Sequence, residues 1–245
     1  MQVHFIGSGD AFGSGGRFNT CFHLSGREAN FLIDCGASSL IALRQQQIDL
    51  NAIQSILVTH FHADHFGGLP FFMLDAQFHS RRTAPLTVAG PAGIEDRYRQ
   101  LTELMFPGSS ATTPRFPLHF IELVAGAGQQ VGALEVDAFE VNHGNAGGPF
   151  HGYRVTVEGR TIAYTGDTEW TDSLVDLARD TDLFIAEAYF HEKRVKLHLD
   201  HASLTANLGR LEARRIVLTH MSPDMIGRPL APPFEAARDG LRIAL

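Results

Sequence analysis

Thr59-His60-Phe61-His62-Ala63-Asp64-His65-Phe66-Gly67-Gly68 is the stretch from which the fold of this chain is read. Four side chains of metal-ligating type, His60, His62, Asp64 and His65, fall within six consecutive positions. The apolar run 53–58 before them predicts a buried strand, and Leu69-Pro70-Phe71-Phe72-Met73-Leu74 after them predicts a helix. Ligands at the carboxyl end of a strand face the crevice where α/β proteins place their chemistry. On an extended loop His60 and His62 can reach one ion, while Asp64 and His65, entering the helix, point at a second. Imidazole and carboxylate donors suit zinc, with iron and manganese left open. A chance histidine-rich turn is the plain alternative, and His-x-His-x-Asp-His is too restrictive a string to favour it.

Composition narrows the rest. The 245 residues are 44% hydrophobic and 19% charged, enough for a sizeable core. A formal net charge of −7 gives no basic field to attract a polyanion, which counts against a large nucleic-acid substrate. Cys21 and Cys35 form neither a disulfide framework nor a metal-ligand spacing, so they read as core thiols in a reducing compartment. Met1-Gln2-Val3-His4-Phe5-Ile6 has neither a basic n-region nor an apolar h-region, and no stretch reaches the length of a membrane span. The expectation is a cytoplasmic protein with one domain over 1–245.

Along the chain, a strand over 3–6 leads into a glycine-rich loop, 7–17, that lacks the Lys-Ser/Thr ending of a phosphate cradle and reads as an active-site rim. A hairpin over 19–24 and 30–33 ends at Asp34. Helices are predicted over 37–47, 68–82 and 91–106, the last with Pro91 in its first turn. The segment 107–117 is a candidate lid or crossover. Strands follow over 86–89, 119–123 and 134–141, then a second hairpin over 151–158 and 161–164. A helix over 170–178 and a strand over 182–186 come next. Asp200 is a good N-cap for a helix over 201–211, which leaves His198 in the loop outside it. A strand over 215–218, a loop over 229–233 and an edge strand over 240–245 close the chain.

These residues resemble the metallo-β-lactamase superfamily across the whole chain, and most closely its short ribonuclease Z-like and phosphodiesterase-like branch. The resemblance implies an α/β αββα sandwich, two mixed sheets face to face with helices outside and metals at one edge. It implies two divalent ions, Zn2+ first, with Mn2+ or Fe open. His60, His62, His143 and Asp167 would hold one, and Asp64, His65, Asp167 and His220 the other. Asp167, in Thr165-Gly166-Asp167-Thr168, would bridge both, as a carboxylate with two oxygens can. A hydroxide between ions about 3.5–4 Å apart would be the nucleophile, held by Asp64. Asp34 would orient the metal loop, with capping of the helix near Ala37 as its other role, and Glu187 would be an acid beside the site. A metal-free histidine before the helix would stabilise the transition state and protonate the leaving oxygen. His198 lies 22 positions (220 − 198) before the last ligand and fits better than His201, though both remain candidates.

This donor set, with no cysteine, resembles phosphodiesterases more than β-lactamases. The expected substrate is a small phosphodiester, a cyclic nucleotide or short oligonucleotide. The transfer-RNA 3′ endonucleases of the branch carry a long arm between the third histidine and the bridging aspartate. Here His143 and Asp167 are 24 positions apart (167 − 143), enough only for the hairpin. That endonuclease activity, or hydrolysis of a lactone, thioester, aryl sulfate or β-lactam, is the alternative. A di-iron redox or pure binding role is disfavoured because 245 residues leave no room for a flavin domain. Phe71, Phe72, Met73 and Phe78 make 68–82 unusually apolar, which predicts a homodimer through that helix. His4, His23, His79, His119, His151 and His191 read as ordinary residues, with His151 and His191 nearest the cleft.

Overall fold

Phe31, Leu32 and Ile33 are consecutive and all buried, yet they belong to different cores: Phe31 and Ile33 pack between two sheets, Leu32 outside them. Successive side chains of a strand point to opposite faces, so an all-apolar strand must be covered on both. The same division recurs in Leu183, Phe184, Ile185 and Ala186, where Leu183 and Ile185 face the inner core and Phe184 and Ala186 the outer one. The computed structural model, which describes residues 1–126 and 128–245, is accordingly a four-layer sandwich.

The first sheet contains β1 (Gln2–Gly7), β2 (Cys21–Ser25), β3 (Asn30–Ile33), β4 (Ser55–Leu57), β5 (Leu86–Gly90) and β6 (Leu118–Glu122). The second contains β7 (Gly128–Val131), β8 (Leu134–Glu140), β9 (His151–Val157), β10 (Arg160–Tyr164), β11 (Leu183–Glu187), β12 (Ile216–Thr219) and β13 (Phe234–Ala236). The chain then returns, and β14 (Arg242–Ala244) adds to the first sheet beside β1. Spatial order is β14-β1-β2-β3-β4-β5-β6 and β13-β12-β11-β10-β9-β8-β7. Each sheet is antiparallel where it begins and becomes parallel from β3 or β10 onward. Outside the first sheet lie α1 (Ser39–Gln45), α2 (Ala63–Phe66), α3 (Leu69–Leu74) and α4 (Ile94–Met105), contributing Leu43, Phe66, Phe72 and Ile94 to its outer core. Outside the second lie α5 (Ser173–Ala178) and α6 (His201–Asn207), contributing Leu177 and Leu204.

Several elements depart from the expectation. The helix predicted over 68–82 is α-helical only over Leu69–Leu74, then widens into a π-turn over Asp75–His79 and stops. Arg82 lies beyond it, buried, and donates to the carbonyls of Leu50, Ile53, Ala84 and Pro85. A guanidinium has enough donors to close four carbonyls, and that demand pulls the chain out of the helix. The helix predicted over 91–106 starts at Ile94, after Gly93 at φ +85°, so Pro91 precedes it. The helices predicted over 37–47, 170–178 and 201–211 are the shorter α1, α5 and α6, the last ending in a 3₁₀ turn over Leu208–Arg210. The segment 107–117 is the crossover from α4 to β6. Strands β7 and β13 were not predicted. Both are short edges: β7 pairs with the next strand, β8, across a two-residue turn, and β13 pairs with β12.

Among the described residues no helix is long and apolar enough to cross a membrane.

Candidate metal centre and active-site cleft

The metal string is anchored from below by the end of β3. Asp34, at φ +60°, accepts from the Thr59 amide (2.8 Å), the Thr59 hydroxyl (2.9 and 3.0 Å) and His65 Nδ1 (2.7 Å). It orients the loop and does not cap α1, whose N-terminus has no side-chain cap. Cys35 N donates to His65 O, Ala37 N to Ala63 O and Gly68 N to Cys35 O, at 2.7, 3.0 and 2.8 Å. A Cβ on Gly36 would lie 2.1 Å from Asp64 O, so this clasp requires glycine there. Across the sandwich, His151 N donates to Thr59 O (3.1 Å), tying β9 to the loop.

Strands β8, β10, β11 and β12 run in the same direction, and their carboxyl ends deliver the remaining groups. His143 follows β8, Asp167 follows β10, Glu187 ends β11 and His220 follows β12. Three groups of donors converge among the described residues, one of them, Asp167, Glu187, His198 and His220, overlapping the second named below. His60, His62 and His143 form the first, and Asp64, His65, Asp167 and His220 the second, with the offered atoms of each group within 4.8 Å of one another. Asp167 reaches into both of these: Oδ1 is 3.3 Å from His65 Nε2, and Oδ2 is 3.4 Å from His220 Nε2 and 3.8 Å from His143 Nε2.

The second nitrogens of these histidines are held by the protein. His60 Nδ1 meets the Thr59 hydroxyl (3.1 Å), His65 Nδ1 meets Asp34, and His143 Nδ1 donates to Leu197 O (2.7 Å). Such partners fix the ring orientation of a metal-bound histidine. The inward nitrogens of His60 and His65 and Oδ1 of Asp167 are buried without a hydrogen-bond partner among the described residues, and His62 Nδ1 faces His143 Nε2 at 3.1 Å. Buried polar atoms are nearly always paired. Unpaired lone pairs converging from imidazoles and carboxylates are a donor set for divalent cations, and the residues present fit such ions.

Electrostatics separates the groups. Burial is the largest influence on His60 and, with the neighbouring histidines, pushes it well below the ordinary imidazole range. Burial also opposes charge on His220, but Asp167, Asp64 and Glu187 override it and bring it to about 10.

Glu187 is fully buried and joins the metal ligands to the loop before α6. Its Oε2 accepts from the amides of Thr168 (2.8 Å) and Leu199 (3.3 Å). Its Oε1 accepts from His198 Nδ1 and lies 3.4 Å from His220 Nδ1. His198 is thereby turned into the cleft, edge-on to His143 (4.8 Å) and parallel to His220 (5.9 Å, 12°). Burial depresses its basicity, and the Glu187 charge and hydrogen bond outweigh that, so the net shift is upward.

His201, the other candidate, is not brought to the cleft. Asp200 caps α6 by accepting from Ser203 N (2.7 Å), and His201 stacks on His191 (5.0 Å, 13°) and meets Phe234 edge-on. His191 is thus occupied, and His151 is buried beneath the metal loop; neither lines the cleft. The cleft, about 480 Å³, is lined by five of the metal-ligand candidates (His62, Asp64, His143, Asp167 and His220) with His198, Asp10, Ala11, Phe12, Tyr189, Phe190 and 195–197. Tyr189, which stacks on His198 at 4.9 Å and 29°, escaped sequence reasoning, although its place two residues after Glu187 at a strand end was a usable signal.

Fold and site together define a metallo-β-lactamase-fold, metal-dependent hydrolase related to short-form ribonuclease Z. A curated ribonuclease Z from Lachnospira eligens is 27% identical over all of this chain and 98% of its own length. The crystal structure of human tRNase Z, short form, superposes with a TM-score of 0.80 at 26% identity, covering 100% of this chain and 99% of that one. Zn2+-bound PqqB from Methylobacterium extorquens shares the fold with a TM-score of 0.78 at 18% identity, covering all of both chains. The chain belongs to the family described as Anti-Pycsar protein Apyc1, whose model matches residues 1–229.

Proposed function

We propose that this enzyme hydrolyses small phosphodiesters, cyclic nucleotides or short oligonucleotides, using two divalent cations. The observation that carries the reading is the chain between His143 and Asp167, which is spent entirely on the β8–β9 connection, β9 and β10. No arm stands there to hold a folded polynucleotide. A cleft of about 480 Å³ matches the span of about 300–1,000 Å³ usual for small ligands.

In this reading His60, His62, His143 and Asp167 hold one ion, and Asp64, His65, Asp167 and His220 the other. When bound, such ions supply Lewis acidity and a water of lowered pKa. Asp64 accepts the proton of the attacking water as its oxygen bonds to phosphorus. His198 donates its proton to the departing oxygen as the phosphorus–oxygen bond breaks. Glu187 holds His198 Nδ1, leaving Nε2 for the substrate. Zinc is the proposed metal, and the proposed location is the cytoplasm, in one domain.

A second reading, transfer-RNA 3′ endonuclease, is supported by the names of the relatives, which favour it over a small-substrate enzyme. The Lachnospira eligens alignment runs over 307 positions against 245 residues here, so that relative carries segments this chain lacks. Rates on 3′,5′-cyclic nucleotides, a 3′-extended transfer-RNA precursor and a lactone separate the possibilities. We expect the cyclic nucleotides to be cleaved and the precursor left intact. Precursor cleavage alone would establish the second reading, and lactone cleavage alone would sink both.

The assembly proposed is a homodimer through α3 and the π-turn. Phe72 and Met73 are spent on the outer core, but Phe71 is 38% and Phe78 58% exposed, and Leu104 of α4 is 80% exposed. Large apolar side chains left exposed on these two elements support pairing, since monomers avoid large exposed apolar patches. Light scattering is expected to give twice the chain mass, and a Phe78→Glu variant the single mass. A monomeric mass for the unmodified protein at micromolar concentration counts decisively against pairing.

A further inference from the structure

Phe12 is 81% exposed, and it stands at the cleft rather than on an unrelated surface. Its loop is not loose. Asp10, buried, accepts from the amides of Phe12 (3.1 Å) and Ser14 (2.9 Å) and from the Ser14 hydroxyl (2.7 Å). Asp239 accepts from Ser8 N, Ser8 Oγ and Phe18 N at 2.9, 2.8 and 2.8 Å. His220 N donates to Ser8 O (3.1 Å), which ties the loop to a proposed metal ligand. A large ring held in water by a fixed backbone gives up little conformational freedom when a ligand covers it, so most of the covered apolar area adds to affinity.

The same cleft has two chemical regions. One is the floor of histidines and carboxylates; the other is apolar, formed by Phe12, Ala11, Phe190, Val195 and Leu197. Tyr189 is committed to its stack on His198, and Phe190 stands edge-on to Tyr189 (4.7 Å, 83°). Lys193 Nζ lies 4.8 Å from the Phe190 ring, and Lys196 lines the cleft, so cations flank the apolar wall. The fitting occupant carries an anionic phosphoryl group for the floor and a flat, π-bearing group for the wall.

We infer that Phe12, with Phe190 in the same cleft, is a stacking subsite for the nucleobase of the substrate. The inference rests on the phosphodiester reading above and deepens it: the substrates are nucleotides, and the base is held by its face. Because every base has a π-face, stacking of this kind tolerates all of them, and no strict choice among bases is expected from it.

The test is calorimetric titration of the zinc-loaded protein with adenosine 5′-monophosphate and, separately, ribose 5-phosphate. The unmodified protein is expected to bind the nucleotide more tightly than the sugar phosphate. Phe12→Ala is expected to weaken nucleotide binding by about tenfold, within the range for loss of one base–aromatic stack, and sugar phosphate binding by less than twofold. Phe12→Trp is expected to restore nucleotide binding. In kinetics on a cyclic nucleotide, Phe12→Ala should act mainly on KM. Equal weakening of both ligands, no weakening, or no preference for the nucleotide in the unmodified protein overturns the inference. A change of oligomeric mass in Phe12→Ala with nucleotide binding intact also overturns it, making Phe12 an intersubunit contact. If nucleotide binding depends on Phe12 while no phosphodiester is hydrolysed, the stacking site stands and the hydrolytic reading falls.

Discussion

Asp167→Ala is expected to lose at least one equivalent of bound metal and nearly all hydrolysis while keeping its fold. The carboxylate stands between the first two donor groups, 3.3 Å from His65, 3.4 Å from His220 and 3.8 Å from His143. Its two oxygens thus face histidines of both groups. Without it each group loses a negative ligand at the point where two cations would otherwise repel one another. The strands beneath are packed by Ile162 and Tyr164 in the inner core, independently of the ions, so circular dichroism should be unchanged. Elemental analysis giving two metals per chain in this variant would show the ligand assignment to be wrong.

His198→Ala is expected to lower turnover by about 10²–10³, the usual effect of deleting one oxyanion donor, with both metals retained. A group that touches substrate and not metal must show that combination. His198 is placed for it: Glu187 holds one nitrogen and the ring lines the cleft. His201→Ala is expected to be nearly neutral, because its ring spends itself on His191 and Phe234. The reverse ranking would transfer the role to His201. Equal and minor losses from both would mean that the metals alone stabilise the transition state.

Sequence gave away the parts of this site that are local. His60, His62, Asp64 and His65 are contiguous, and a strand before them and a helix after them are enough to aim them. The alternation in 134–141 and the hairpin over Gly159 were likewise readable from neighbours in the chain. What was not readable depends on partners that the local pattern does not reveal. Gly128-Gln129-Gln130-Val131 has no apolar alternation and becomes β7 only because β8 offers an edge. Arg82 ends a helical pattern because four carbonyls from separate segments require its donors. Spacing to His220 favoured His198 over His201, but the contacts that separate the two rings, Glu187 on one and His191 on the other, lie beyond what spacing can read.

Each of the first two donor groups draws on both sheets: His60 and His62 meet His143, and Asp64 and His65 meet Asp167 and His220. An ion seated in either group is therefore a cross-link between chain positions that are far apart, as a disulfide would be. It closes long loops of the unfolded chain, where the entropic gain from closure is greatest, and by binding only the assembled form it adds its own affinity to the docking of the sheets. Neither half of the sandwich carries a complete coordination set, so neither half could have held these ions alone.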